Sequence, residues 1–226
     1  MIFNKHSELK GKHAVFSPSQ PSWLRYDEEK SIEKVRNQFR TEIGTELHAF
    51  AESQIILGSK VGSIKELFKN IKTFIYVKYY DTKTESISEF GKILIDNLAF
   101  IPTETFDSIK NYINDAISFN LIPEQPLKYS DIFFGTADAI NFKNNMLRIH
   151  DLKTGSGPVH IEQLEVYVAL FCLEYDINPG DIENEIRIYQ NGEITVTKVP
   201  LDIIAHHMDQ IININKAIEF YNGGKH

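Results

Sequence analysis

Asp138, Asp151 and Lys153 are the residues whose types and spacing could do chemistry together. They flank an Asn144-Asn145 pair in the stretch that opens with Gly135-Thr136-Ala137-Asp138 and closes with Asp151-Leu152-Lys153-Thr154-Gly155. Asparagine tolerates positive φ, so the pair predicts the tip of a two-residue β-hairpin. Counting back from that tip sets Lys143 opposite Met146, Phe142 opposite Leu147, Ile140 opposite Ile149 and Asp138 opposite Asp151. Two carboxylates so placed, with Cβ atoms about 4.5–5.5 Å apart, repel each other. A shared proton, a basic neighbour or a divalent cation must offset that repulsion. Hard oxygen ligands at this separation suit Mg²⁺ or Mn²⁺. Strand alternation turns Lys153 to the same face as Asp151, so two metal ligands and an ammonium meet at one spot. That set suits hydrolysis of a phosphodiester: the ion polarises the phosphate and activates water, and the lysine orients the water or neutralises growing charge. The bland reading of the same residues is a pair of solvated acids at strand ends.

Two helices carry side chains that fit such a site. Gly44, His48 and Glu52 fall at i, i+4 and i+8, on one helix face. Neutral imidazole is a competent ligand, the glycine permits close approach of another segment, and Glu52 is either an acid that hydrogen-bonds to the metal's ligands or a plain exposed acid. Gln163 and Tyr167 are also four apart, and an amide and a phenol there can position a phosphate or hold the lysine. Glu124, at the start of the preceding strand, offers a further carboxylate.

The elements that must position these groups follow from periodicity. Ser17-Pro18-Ser19-Gln20-Pro21-Ser22 closes an irregular opening over residues 1–22. Glu28 to Leu57 reads as one long helix or two joined ones, with Ile43, Leu47, Phe50, Ala51 and Ile55 as its stripe. Ile64, Leu67, Phe68 and Ile71 mark a second helix, and Phe106, Ile109, Ile113 and Ile117 mark the stretch Asp96 to Asn120 as helical after Pro102. Strands are expected at 125–133, 135–142 and 146–153, a helix from Ile161 to Tyr175, then strands Glu185–Gln190 and Ile194–Val199 joined at Asn191-Gly192. A last helix runs from Leu201 to about Phe220. The expected fold is a mixed α/β domain with a central mixed sheet flanked by helices. It is one domain: a helical part over about 23–120, a β-β-β-α-β-β core over about 124–199, and a C-terminal helix over about 201–221.

A length of 226 residues with 42% hydrophobic content supports one sizeable core. No apolar run has membrane-spanning length, and Met1 to His6 lack a secretion signal's greasy segment. The lone Cys172 excludes an internal disulfide and an all-cysteine metal cage, so a reducing, cytoplasmic setting is expected. The net charge of −7 argues against gripping nucleic acid by bulk positive charge, although acids gathered around cations contribute to that total. Lys60, Lys65, Lys69 and Lys72 form a local basic strip or a solvated helix face. Trp23, Tyr26, Phe133 and Phe134 are candidates for base stacking, with core packing the expectation for the two phenylalanines.

Four segments in order, Gly44-Thr45-Glu46-Leu47-His48, Gly135-Thr136-Ala137-Asp138, Asp151-Leu152-Lys153-Thr154-Gly155 and Gln163-Leu164-Glu165-Val166-Tyr167, resemble the PD-(D/E)XK nuclease superfamily, in particular its RecB-like branch. Ser17-Pro18-Ser19 is similar to that family's opening segment, and the resemblance covers about residues 17–190. It implies a restriction-endonuclease-like core and a DNA end-processing nuclease using Mg²⁺ or Mn²⁺. His48, Asp138, Asp151 and the backbone carbonyl of Leu152 would bind metal, Lys153 would be catalytic, and Gln163 and Tyr167 accessory. Some relatives hold an iron–sulfur cluster through four cysteines, and this chain departs from them there. Its free-standing form looks like a phage or mobile-element recombination exonuclease in the cytoplasm of a bacterial host, with DNA, a recombination or single-strand annealing protein, and other copies of itself as partners.

Two other classes compete. One is a catalytically silent nuclease-like module that binds DNA or protein, against which the opposed acids argue. The other is a zinc hydrolase drawing on His150, His160, His206 or His207, whose spacing lacks a His-Glu-x-x-His helix.

Overall fold

The computed structural model describes residues 14–223, so residues 1–13 of the expected irregular opening, Met1 to His6 among them, lie outside the described residues. From Asp27 onward the chain is helical as its pattern demands. Helix α1 (Glu28–Leu57) starts where the Asp27 carboxylate accepts the Lys30 N–H at 2.8 Å and stops at Gly58, whose φ of 64° suits a left-handed C-cap. Its buried residues begin only at Ile43, and continue through Glu46, Leu47, Phe50, Ala51 and Ile55. The charged first half therefore lies largely against solvent, while the second half carries the core stripe and His48.

Helix α2 (Ile64–Lys78) buries Leu67, Ile71 and Ile75. It is tied to α1 by the buried Glu46, which accepts from Lys78 Nζ at 2.8 Å and from the Tyr79 hydroxyl at 2.8 Å. The sequence reading missed the next two elements, a two-stranded hairpin of β1 (Tyr80–Asp81) and β2 (Ser86–Ile87), and helix α3 (Glu89–Asn97). Both are short, and in α3 a glycine interrupts a stripe whose Phe90 and Ile93 stay exposed. A 3₁₀ turn at Leu98–Phe100 leads to α4 (Thr103–Ser118). Of the anticipated basic strip, Lys60 donates to Ser118 Oγ and Lys72 lies over the Phe68 ring.

Among the described residues five strands form the main sheet in the order β3 (Ile122–Ser130), β4 (Phe133–Lys143), β5 (Met146–Leu152), β6 (Glu183–Gln190), β7 (Glu193–Thr197). The pairs are antiparallel except β5 with β6, which are parallel and joined by the crossover helix α5 (Glu162–Glu174). Helix α6 (Leu201–Gly223) packs against α5. The β4–β5 register is the expected one: Lys143 pairs with Met146, Phe142 with Leu147 and Ile140 with Ile149. The tip residues Asn144 and Asn145 have φ of 53° and 58°, and the second hairpin tip, Asn191-Gly192, is left-handed at both residues too. The β3–β4 boundary is displaced from expectation. The turn falls at Asp131-Ile132, closed by the Lys128–Asp131 ion pair, so Gly135 lies inside β4 rather than near its start.

Two apolar clusters cover the two faces. Leu47, Phe50, Ile71, Leu94, Ile109 and Ile113 pack with Ala139, Leu152 and Tyr189 on one side. Leu164, Val168, Phe171, Ile204 and Ile211 pack with Ile140, Leu147, Ile149, Ile186 and Ile188 on the other. Cys172 is buried in the second cluster and unpaired. No helix of the described residues is long and apolar enough to cross a membrane.

Candidate metal centre and cleft

The β4–β5 ladder ends at the pair Ala139–His150. One residue further on, the strand pairing is replaced by a side chain: Asp138 Oδ2 accepts the Leu152 N–H at 2.9 Å. This bond fixes the Asp138 carboxylate at the open end of the sheet. His48, brought up by α1, has Nδ1 3.6 Å from the same oxygen.

Glu124 joins them from the other side. On β3, Pro123 pairs with Ala139 and Gln125 with Ala137, which brackets Glu124 against Asp138. Its backbone is left-handed at φ 49°, a conformation a glutamate rarely adopts and one that marks functional sites when the surrounding fold enforces it. His48, Glu124 and Asp138 each bring one ligand atom within 4.8 Å of the others, the one such group among the described residues. Partial burial, then the charges of Asp138 and Glu52, raise the Glu124 carboxyl above its ordinary value, and His48 opposes them.

Asp151 is the buried member, only 3% exposed. Burial first, then the charge of Asp138, pushes its carboxyl up to about 6, against the pull of Lys153 and His48. Lys153 Nζ stands 3.0 Å from both carboxylate oxygens, with hydrogen-bond geometry to Oδ1 alone. Oδ2 is buried and has no hydrogen-bond partner among the described residues. Lys153 also donates to Gln163 Oε1 at 3.1 Å, and its backbone N–H is held by Tyr189 O at 2.9 Å. The lysine is thus fixed at both ends.

The residues singled out in the sequence are placed as follows. Asp138, Asp151, Lys153, His48 and Gln163 converge. Glu124, read there as a loosely held extra acid, stands in the ligand group with His48 and Asp138, whereas Asp151 lies outside that group and is taken up by the lysine. The Leu152 side chain is buried in the first core cluster, and its N–H is what Asp138 holds. Glu52 lines the cleft one turn beyond His48. Tyr167 donates its hydroxyl to Thr136 O at 2.6 Å and packs on Gly135, where a β-carbon would lie 2.9 Å from the ring. A β-carbon on Gly44 would likewise lie 3.0 Å from Thr154 Oγ1. Both glycines therefore allow the site's walls to approach.

The four histidines weighed as zinc ligands are apart from this group. His150 is fully buried on the opposite face of β5, against Tyr189 and Phe119, and burial with the nearby Arg187 and Arg148 pushes it down to about 3. His207 pairs with Glu165 at 3.2 Å. Of the proposed stacking aromatics, Trp23 donates to Ser17 O, Lys30 lies over Tyr26, Phe133 packs against the second cluster, and Phe134 is exposed away from the cleft.

Two residues the sequence reading passed over belong here. Tyr112 of α4 is buried beside the acids: after burial, the charges of Asp138, Glu124 and Asp151 raise its phenol well above the ordinary value. Phe100 lines the cleft while 81% exposed. That cleft, about 840 Å³, runs along α1 from Glu52 past His48 and Gly44 to Arg40, with Asp138 and Glu124 at one end and Thr154 to Ser156 along its other wall.

The donor set fits a hard divalent cation. It offers carboxylate oxygens and an imidazole gathered within 4.8 Å, crowded enough to raise Glu124 and Asp151, and one buried carboxylate oxygen without a partner. Fold and site together define a mixed α/β protein with an acidic, histidine-flanked cleft at the open end of its sheet. The chain belongs to the family described as a protein of unknown function (DUF2800), whose model matches residues 13–204. No curated protein and no solved structure matches it.

Proposed function

We propose that this protein is a divalent-metal-dependent nuclease that hydrolyses DNA phosphodiester bonds, in the manner of the end-processing exonucleases of phage and mobile-element recombination that its motifs resemble. The observation that carries the reading is the meeting of Asp138, Asp151 and Lys153 at one end of the β4–β5 pair, with His48 and Glu124 beside them. Asp138, Glu124 and His48 would hold Mg²⁺ or Mn²⁺, with Asp151 and the Leu152 carbonyl adjoining. Such an ion supplies Lewis-acid polarisation of the phosphate and lowers the pKa of water.

The chain's own groups do the rest. Asp138 cannot swing away while the Leu152 N–H holds it. Asp151 and Gln163 fix the Lys153 ammonium from two sides, which leaves its remaining donor capacity for a water or a phosphate oxygen. An ammonium so placed stabilises negative charge as the phosphate passes to its five-coordinate state, without having to reorganise. Gln163 acts through the lysine, and Tyr167 through the β4 backbone at Thr136.

The test is cleavage of linear, circular and end-labelled DNA with Mg²⁺ or Mn²⁺ by the wild type, Asp151→Asn and Lys153→Ala. The wild type is expected to cut linear DNA from its ends, and each variant to lose about a hundredfold or more in rate. Equal cleavage by all three proteins, or none by the wild type with any divalent ion, would end the reading.

A further inference from the structure

The cleft extends well beyond the acid group. Arg40 and His48 are eight residues apart on α1, a distance of about 12 Å along the helix axis, and both line the same cavity. Its walls also include Thr41, Thr45, Ser156, Asn191 and Phe100. Arg40 is the one lysine or arginine among the residues lining this cavity.

Phe100 is held out by its own turn. Leu98 at the start of the 3₁₀ turn is fully buried, Ile101 packs against the first core cluster with its N–H on Leu98 O, and Pro102 begins the next helix. Between these anchored neighbours the phenyl ring remains 81% exposed at the cleft wall. Leaving an aromatic face in water forfeits burial energy that the same turn gains at Leu98. A nucleobase would cover that face.

We propose that this cleft binds single-stranded DNA, with a base stacked on Phe100 and a phosphate on Arg40, and leads the strand along α1 to the acid group. The inference rests on the nuclease reading and deepens it by naming the form of the substrate. Single strands are gripped by aromatic stacking with modest positive charge. A duplex depends on neutralising many phosphates, for which one guanidinium in a cleft that also holds Glu52, Glu124 and Asp138 is poorly suited. A cavity of about 840 Å³ lined by both apolar and polar groups takes a few nucleotides of one strand.

The experiment measures binding by fluorescence anisotropy, with a labelled twelve-nucleotide oligo(dT) and a twelve-base-pair duplex as probes, in Ca²⁺ to neutralise the acids. The wild type should bind the single strand more tightly than the duplex. Phe100→Ala should weaken that binding about tenfold or more, Phe100→Leu should weaken it similarly, and Phe100→Trp should retain it. Arg40→Ala should lower affinity and flatten its dependence on salt by about one ion. Phe134→Ala, an exposed phenylalanine outside the cleft, should change nothing. Equal affinity of the wild type for single strand and duplex, or wild-type affinity in Phe100→Ala, overturns the proposal. The nuclease reading is judged separately, by whether the wild type cuts in Mn²⁺. Phe100-dependent binding without cleavage would remove that reading and leave the strand site standing.

Discussion

Gly135 and Tyr167 show how residues with no reactive group shape the site. The Tyr167 ring rests where a β-carbon at position 135 would be, at 2.9 Å, while its hydroxyl holds Thr136 O two residues ahead of Asp138. Gly135→Ala should therefore cost about 1–3 kcal/mol of stability by overpacking and slow cleavage as well. The double variant with Tyr167→Ala should recover part of the stability loss, which a double-mutant cycle in denaturant will show; strict additivity would refute the contact. His150 governs a different property. Its ordinary value is 6.5, and burial with the neighbouring arginines lowers it to about 3 in the folded protein. The unfolded chain takes up a proton near pH 6.5 and the folded chain does not, so this residue's contribution is complete above pH 6.5 and is lost as pH falls toward 3. By pH 5 the wild type should have lost about 2 kcal/mol relative to His150→Gln, read from denaturation curves in chelator at pH 7 and pH 5. The comparison with the variant matters because Asp151, raised to about 6, acts in the opposite sense: its contribution is present at low pH and lost as pH rises through 6. Curves that shift equally with pH in both proteins would remove His150 as the cause.

At the scale of elements, the hairpin of β4 and β5 was legible because a two-residue tip fixes register by itself. Asn144 and Asn145 both stand at positive φ, so Asn145→Gly, which adopts that conformation without strain, should stabilise the protein by up to about 1 kcal/mol. That corresponds to a rise of roughly 2–4 °C in Tm for a chain of this size, and a fall in Tm would contradict the turn geometry. The register carried Asp138, Asp151 and Lys153 to one end of the sheet. Helical spacing did the same for His48 and Gln163. What sequence did not reveal depends on contacts between distant segments. Glu124, which the sequence offered only as a further carboxylate, gains its place from a left-handed backbone and from pairing across the sheet, Tyr112 from the packing of α4 over the strands, and Phe100 from a turn anchored at Leu98. None of these has a period to read. The hairpin of β1 and β2 and helix α3 were missed because elements of two to nine residues offer too few positions for a pattern.

For the molecule as a whole, the site draws on α1, β3, β4, β5 and α5, so it exists only when both faces of the sheet are assembled. Three carboxylates, Glu124, Asp138 and Asp151, are then confined at one corner, and the crowding shows in the raised Glu124 and Asp151. A cation that relieves the crowding binds the folded chain alone, and stabilises it by RT ln(1 + [L]/Kd). Millimolar Mn²⁺ or Mg²⁺ should accordingly raise Tm by several degrees, and Asp138→Asn or Glu124→Gln should blunt the rise; an unchanged melting curve would speak against an ion at this corner. A chelating buffer is then expected to act on this protein as a gentle denaturant. Its melting point becomes a gauge of occupancy that needs neither substrate nor turnover, and a thermal titration against a panel of ions would rank them by affinity.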